Sequence, residues 1–382
     1  SEEAETDASR AITLNRKTGK LFSNLAIGAD VAGAITLKAN ESMSNRGVIP
    51  HGAGMVLTPE QVNQLEIDAP IRPYRNGRDI AGSPRGAYVI DCYGLQAEDI
   101  QLNFPKLYQW LLERVKPARD AHRDKDLREK WWLHRRNNEE LRRSLNGLNR
   151  YIATGQVSKH RFFTFLDHSV LPDDKLIAIA LSDSASLGVL SSKIHLLWAI
   201  ASGATLEDRP VYNKNNCFEA FPFPALSDEQ AAKIGQLAEQ IDAHRKRQQA
   251  EHPTLTLTGM YNVMEKLRAG EELNAREQTI NQQGLVSTLL ADHDALDRAV
   301  FNAYGWDDLA KALVGLPGAT TPLPDKPAAQ AEAEEELLMR LVALNKQRTA
   351  EEAQGKVRWL RPDYQAPEEA APAQTELQST TA

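Results

Sequence analysis

Cysteine is nearly absent from this 382-residue chain: only Cys92 and Cys217 occur, far apart and with no CxxC or Cys/His spacing around them. Two such thiols build neither a disulfide framework nor a zinc site, so a reducing cytoplasm is the expected compartment. Long apolar runs are missing too. Nothing approaches the roughly 18 consecutive apolar residues that a membrane-spanning helix needs, so no membrane partner is expected. The first residues, Ser1-Glu2-Glu3-Ala4-Glu5, are acidic and polar. A signal peptide needs a basic start and an apolar core instead. They also lack an initiating methionine, as a piece cut from a longer chain would.

Catalytic signatures are absent as well. There is no G-x-S-x-G elbow, no phosphate loop of the form G-x-x-x-x-G-K followed by Ser or Thr, no G-x-G-x-x-G after a strand, and no H-E-x-x-H helix. No Asn-Pro-Pro-aromatic tetrapeptide is present to hold an extruded adenine. Pro172-Asp173-Asp174-Lys175 is the nearest approach to a metal-dependent nuclease motif. Such enzymes need a further carboxylate well upstream to bind the metal through oxygen. Here everything is compressed into four residues before a strand, and the segment reads as a Pro-Asp turn.

What the chain does have is ordinary globular composition, 42% hydrophobic and 25% charged, with room for two or three domains. Its charge is unevenly spread. The whole carries −7, yet residues 106–161 hold fifteen Lys and Arg against seven Asp and Glu. This stretch also contains Trp110, Trp131 and Trp132. A solvated helical face laced with i,i+4 pairs is one reading. A surface that tracks phosphates, with aromatics for stacking or packing, is the other.

Periodicity divides the chain into an α+β fold, a mixed-strand domain followed by a helical region. Residues 1–34 read as a lead-in from a missing upstream part. A domain over 35–225 opens on the alternating run Ile35–Asn40, followed by extended pieces around 46–57 and a short helix capped by Thr58 with Pro59 at its first position. Residues 71–80 form a loop with an Asn-Gly turn and three arginines. Ala87–Asp91 is a buried strand, and about 104–130 is helical and polar on most faces. Strands follow at 151–156, 162–166 and 175–180, then an amphipathic helix marked by Leu187, Leu190, Ile194, Leu197 and Trp198. His195 on that helix is read as a surface residue. Phe218–Pro224 is an extended, proline-fixed hinge. The helical region, 226–312, begins at the capping box Ser227–Gln230, with a second box at Asn274–Glu277 and a terminating Gly305. A Pro/Ala/Gly-rich linker spans 313–333, a helix and a basic clip span 334–366, and a disordered tail covers 367–382.

Several segments occur in an order that resembles a known family: Ile71–Asp79, Leu127–Trp132, Arg150–Thr154, Ser158–Arg161, Leu187–Ser192, Cys217–Pro224, Leu257–Asn262 and Gly355–Pro362. Together they are similar to the C-terminal half of the large MmeI-like class I DNA methyltransferases, over roughly 35–312 and 334–365. In that family a catalytic domain dependent on S-adenosylmethionine comes first, and a target-recognition domain and a helical region follow. Members methylate adenine at N6 in restriction-modification or phage-defence systems. The resemblance implies that this chain is the target-recognition portion, that double-stranded DNA is its partner, and that S-adenosylmethionine belongs to the whole enzyme rather than to this chain. It also implies an upstream methyltransferase domain, in the same or a separate chain, and other defence-system proteins as possible partners. The cofactor and Asn-Pro-Pro segments are missing, so no catalytic residue carries over. Phe221-Pro222-Phe223-Pro224 more loosely resembles specificity subunits of type I restriction systems, which keeps open a free-standing binding module serving separate catalytic chains.

Side-chain chemistry then names candidates. Arginine can donate two parallel hydrogen bonds to the O6 and N7 edge of guanine, and asparagine can do the same for adenine. Arg72, Arg75, Asn76 and Arg78 are the candidates in the turn-rich loop. Lys130, Arg135 and Arg136 lie in the basic stretch, Lys159, His160 and Arg161 between two strands, and Asn213 and Lys214 before the hinge. Lysines among them would hold phosphates and set register. For each residue a surface ion pair or loop hydrogen bond competes with DNA contact, and for Trp131 and Trp132 core packing is favoured.

Overall fold

The computed structural model describes residues 28–207 and 209–367. The expected lead-in and tail, apart from 28–34 and Pro367, lie outside the described residues. Ten short strands occur among those described: β1 (Ser44–Arg46), β2 (Val56–Leu57), β3 (Ile71–Arg75), β4 (Tyr88–Ile90), β5 (Arg150–Gly155), β6 (Thr164–Asp167), β7 (Leu171–Pro172), β8 (Leu176–Ile179), β9 (Ala204–Leu206) and β10 (Arg209–Val211). They build an antiparallel sheet of order β1-β8-β5-β6, a mixed sheet of order β2-β4-β3-β7, and the hairpin β9–β10. With the helices that follow, this is the expected α+β fold.

The first sheet shows why its strands alternate as they do. Register aligns Ile152 with Ile179 and Thr154 with Ile177 on one face, and Ala153 with Ala178 on the other. The first face packs on Met43, Phe163, Phe218 and Tyr212. The second, with Tyr151 and Ala180, receives Leu141 and Leu145 from a helix. A one-residue slip would exchange the two faces, which fixes the register.

The helices between the sheets are α1 (Pro59–Val62), α2 (Gly77–Ala81), α3 (Ala97–Asn103), α4 (Pro105–Arg114), α5 (Lys116–Asp120), α6 (Lys125–Glu129) and α7 (Glu139–Leu145). Thr58 caps α1 in a full capping box with Pro59 in the first turn, as expected. The helical stretch expected over 104–130 is three helices rather than one. Pro105 and Pro117 each stand in a first turn, where a proline is tolerated because its missing N–H has no partner there. Trp131 and Trp110 are buried and Trp132 packs beside them, in a core with Leu57, Ile90 and Leu107. Their indoles are occupied: Trp110 Nε1 donates to Gly54 O at 2.8 Å and Trp132 Nε1 to Leu95 O at 2.9 Å.

Three local expectations are corrected. Ile35–Asn40 is not a strand. Its last part is a 3-10 turn whose Lys38 and Ala39 amides donate to the Glu352 carboxylate at 2.9 and 3.0 Å, so the groups a sheet would pair are already taken. Residues 71–80 are not a loop but β3 followed by α2. The single amphipathic helix expected around 187–198 is a pair, α8 (Ser184–Ser191) and α9 (Lys193–Ser202), bent by 60° at Ser192. Both helices are mostly buried, and His195 is fully buried rather than exposed. Its Nε2 meets the Tyr212 hydroxyl at 3.0 Å, and burial lowers its pKa to about 3. Among the described residues no single helix is long and apolar enough to cross a membrane.

The rest is helical: α10 (Asp228–Glu251), α11 (Leu257–Ala269), α12 (Ala275–Gly284), α13 (Val286–Tyr304), α14 (Asp307–Leu313), α15 (Ala328–Ala353) and α16 (Pro362–Gln365). Ser227 and Asn274 make the expected capping boxes, and Gly305 closes α13 in the left-handed conformation. The largest core is continuous across the change in secondary structure. It joins Phe162 and Leu176 of the strand region to Val189 and Trp198, and these to Ile234, Met260, Leu296 and Leu337 of the helices. α8 can cross α10 closely because residue 188 is glycine: a Cβ there would collide with Ile234. Phe218 and Phe221 of the expected hinge are fully buried in these cores, which pins the segment in place. Thr320, within the Pro-rich stretch, is buried and accepts the Arg161 amide at 2.8 Å.

Candidate nucleic-acid interface

The structure separates the sequence candidates into those turned inward and those available at the surface. Arg161 lies wholly inside. Its guanidinium donates to Thr154 Oγ1 at 3.0 Å, to Pro210 O at 3.1 Å, to Gln156 O at 3.4 Å, and to Gly155 O. Burial lowers its pKa only to about 10, so it remains charged at neutral pH. His160 is also buried, between Thr320 Oγ1 and Asn262 Oδ1, each at 2.9 Å, and burial lowers its pKa. The loop-tip reading of Lys159-His160-Arg161 is therefore corrected: a tip whose main-chain acceptors must be satisfied internally draws its arginine inward. Lys159 alone stays exposed, with Nζ on Asn262 Oδ1 at 2.7 Å.

The first arginine cluster is also largely committed. Arg72 donates from Nε to Ser169 O at 2.9 Å and lies 3.6 Å from Asp91. Asp91 is held by both Nη atoms of Arg142, at 2.9 and 2.7 Å. Asn76 spends its side-chain oxygen capping α2, accepting from the Arg78 and Asp79 amides at 2.9 and 3.2 Å. Arg75 is half-buried beside a cavity of about 250 Å³ that Arg245 and Lys246 also line. Arg78, Lys130 and Arg135 are exposed.

Three candidates meet in one place. Arg136, Asn213 and Lys214 line a cleft of about 430 Å³ together with Asn45, Arg46, Asn138, Glu140 and Gln156, floored by Ile177 and Tyr212. The fold explains the assembly. Arg46 ends the edge strand β1, opposite Ile177 of β8. Gln156 directly follows β5, and its carbonyl accepts the Tyr212 amide at 2.8 Å, which holds the Asn213–Lys214 wall alongside. The remaining wall is the entry to α7, where Asn138 caps the helix and its amide nitrogen donates to Arg46 O. Asn213 caps the π-helical turn Lys214–Glu219, accepting from the Asn215 amide at 3.0 Å. Lys214 sits 3.7 Å from Glu219, whose pKa burial raises.

Chemically the cleft presents amides and cations at one concave surface, with Glu140 and the nearby Asp174 as its acids. Asp174 lies 3.4 Å from Arg46 and 3.2 Å from Arg136. Arg46 Nη2 also donates to Gln156 Oε1 at 2.8 Å. These pairs are partly exposed, so each adds only about 0–1 kcal/mol to stability. Their main consequence is to fix the direction of the side chains. Arg46, Asn138, Gln156 and Asp174 were not singled out as DNA contacts in the sequence; only the acidic turn before β8 gave a signal, and it pointed to a different chemistry. Asp173 is part of that turn's scaffold. It accepts from the Lys175 amide at 2.8 Å and from the Tyr74 hydroxyl. Among the described residues no group of three or more His, Cys, Asp or Glu is arranged to hold a metal.

Residues 45–225 match the family described as the MmeI target recognition domain. No curated protein matches the chain. Among solved structures, the fold is similar to that of the Type IIL restriction-modification enzyme MmeI in complex with DNA, with a TM-score of 0.60 and 17% sequence identity. That match covers 85% of this chain and 38% of the other, so the chain spans well under half of the larger protein.

Proposed function

Because the chain contains an MmeI-like target recognition domain over residues 45–225, we propose that it recognises a specific double-stranded DNA sequence on behalf of a longer restriction-modification enzyme. The observation that carries this reading is one of placement. Every residue lining the amide-and-cation cleft, from Asn45 to Lys214, falls inside the matched segment. Arg136 and Lys214 supply charge for phosphates, while the guanidinium of Arg46 and the side-chain NH₂ groups of Gln156 and Asn213 supply donors for base edges. Methylation of adenine at N6, cytoplasmic location and a role in phage defence belong to the same reading of the longer protein.

We assign S-adenosylmethionine to the longer enzyme: β3, which pairs in parallel with β7 over two residue pairs, runs directly into the short helix α2 without a glycine-rich turn between them. Chemistry on the base is therefore assigned to an upstream catalytic domain, fused to this chain or separate from it. A specificity subunit working with separate catalytic chains would use the same cleft.

The test is selection from a randomised duplex pool by the 382-residue chain, followed by affinity measurements at two salt concentrations. A defined consensus is expected, with log K falling against log salt by about 0.9 for each phosphate contacted. Recovery of no consensus would overturn the reading.

A further inference from the structure

We propose that Arg46 reads the edge of a guanine in the major groove and that Asp174 is the positioning residue that aims it. This inference rests on the reading of the cleft as a DNA-facing site. The sheet register puts Arg46 and Ile177 side by side, and Ile177 beside Thr154. Side chains two apart along a strand share a face, so Gln156 extends the face of Thr154. Arg46 and Gln156 consequently meet across the top of Ile177, with Nη2 donating to Oε1 at 2.8 Å.

Behind them stands the acidic turn. Asp174 is placed by its own amide, which donates to Val48 O at 3.0 Å, and by Asp173, whose amide donates to Arg75 O at 2.8 Å. Gly47 permits the approach: a Cβ at that position would run into the main chain of Pro172 and Asp173. The Asp174 carboxylate thus lies under two guanidiniums, 3.4 Å from Arg46 and 3.2 Å from Arg136, with its own side chain only 14% exposed. The Arg46 side chain is 35% exposed, and its contacts to Asp174 and Gln156 both fall on Nη2. Its Nε is buried and has no hydrogen-bond partner. A buried Nε is closed to DNA, so Nη1 is the nitrogen left for a further acceptor, its direction set by the two contacts on Nη2. Anchoring before binding lowers the ordering cost that a flexible arginine would incur.

The donor pattern selects the base. Gln156 uses its oxygen on Arg46, which leaves its NH₂ as a donor, and Arg46 offers donors alone. A donor-rich pair matches the edge that carries two acceptors, O6 and N7 of guanine. Glu140 on the facing wall can accept from the amino group of the paired cytosine. The Pro172–Lys175 turn acquires a role in this arrangement, as the support for a reading arginine.

The experiment compares the wild-type chain with Arg46→Ala, Arg46→Lys and Asp174→Asn by selection from a randomised duplex pool, with melting curves to show that each variant folds. Wild type should enrich a consensus containing a guanine. Arg46→Ala should lose preference at that one position by about 5- to 150-fold while the other positions persist. Arg46→Lys should keep affinity and lose the same preference, because an ammonium lacks the planar fork that Asp174 and Gln156 hold in one direction. Asp174→Asn should blunt preference at the same position without weakening binding to unrelated duplexes. An unchanged consensus in the Arg46 variants, or an even loss across all sequences, overturns the guanine assignment and leaves the parent reading intact. Failure of wild type to enrich any sequence overturns both.

Discussion

The strand-rich recognition region and the helical region use charged residues with different emphasis. In the helices several ion pairs join residues three or four apart, such as Lys246 with Asp242 and Arg340 with Glu336, beside longer ones such as Arg340 with Asp308. In the recognition region arginines reach far along the chain. Arg119 is buried and donates to Pro50 O at 2.8 Å, Arg142 holds Asp91, and Arg161 joins the end of β5 to β10. Short strands and irregular connections leave many carbonyls without sheet partners, and a five-donor side chain satisfies several at once. Local positive charge therefore overstates the charge available to DNA at particular positions: over 106–161 Arg119 and Arg161 are buried, most of the other Lys and Arg are exposed, and Arg136 is the member that lines the cleft.

The sharpest way to break this contrast is Arg161→Ala. It would remove four hydrogen bonds from a buried site and leave a void there, so a loss of about 2–5 kcal/mol is expected, read as a lower melting temperature. If Arg161 instead contacted phosphate, the melt would hardly move and the salt slope of DNA binding would fall.

A second, smaller effect is acid sensitivity. His195 is buried with a folded pKa of about 3, and burial likewise keeps His293 well below its usual value. Unfolding restores the ordinary value near 6.5, so the unfolded chain binds protons that the folded one refuses. Their contribution to stability is full above about pH 6.5 and declines as pH falls toward 3. On the order of 2 kcal/mol should be gone by pH 5 through His195 alone. Chemical unfolding at pH 7 and pH 5 measures it, and His195→Gln should reduce the difference. Equal stability at both pH values would contradict the buried assignment.

The smallest expected effect separates a cap from a reader. Asn76→Ala should cost about 1 kcal/mol through loss of the α2 cap, with base preference unchanged. Altered preference at one base pair would return Asn76 to the interface.

The helices were legible because their signals are local. Ser227 with Gln230, Asn274 with Glu277, and Gly305 all announce themselves within a few residues. Strands β4, β5, β6 and β8 were legible from β-branched and aromatic alternation. Residues 35–40 misled because their alternation is met by a carboxylate 313 or 314 residues away in sequence, Glu352, rather than by a neighbouring strand. The cleft was legible only in part, as Arg136, Asn213 and Lys214. Arg46 and Gln156 are 110 positions apart and meet only through sheet register, for which no short motif exists. The same limit hid the inward turn of Arg161, since burial is decided by carbonyls on β5 and β10 together.

The most direct test of the cleft is the salt dependence of binding to the enriched duplex. Wild type would be compared with Arg136→Ala/Lys214→Ala, and with Lys125→Ala/Lys130→Ala, which removes two exposed cations outside the cleft. The cleft pair should flatten the slope of log K against log salt by about 1.8, two phosphate contacts at 0.9 each, while the other pair leaves it unchanged. The reverse result, or equal slopes in all three proteins, would contradict the account.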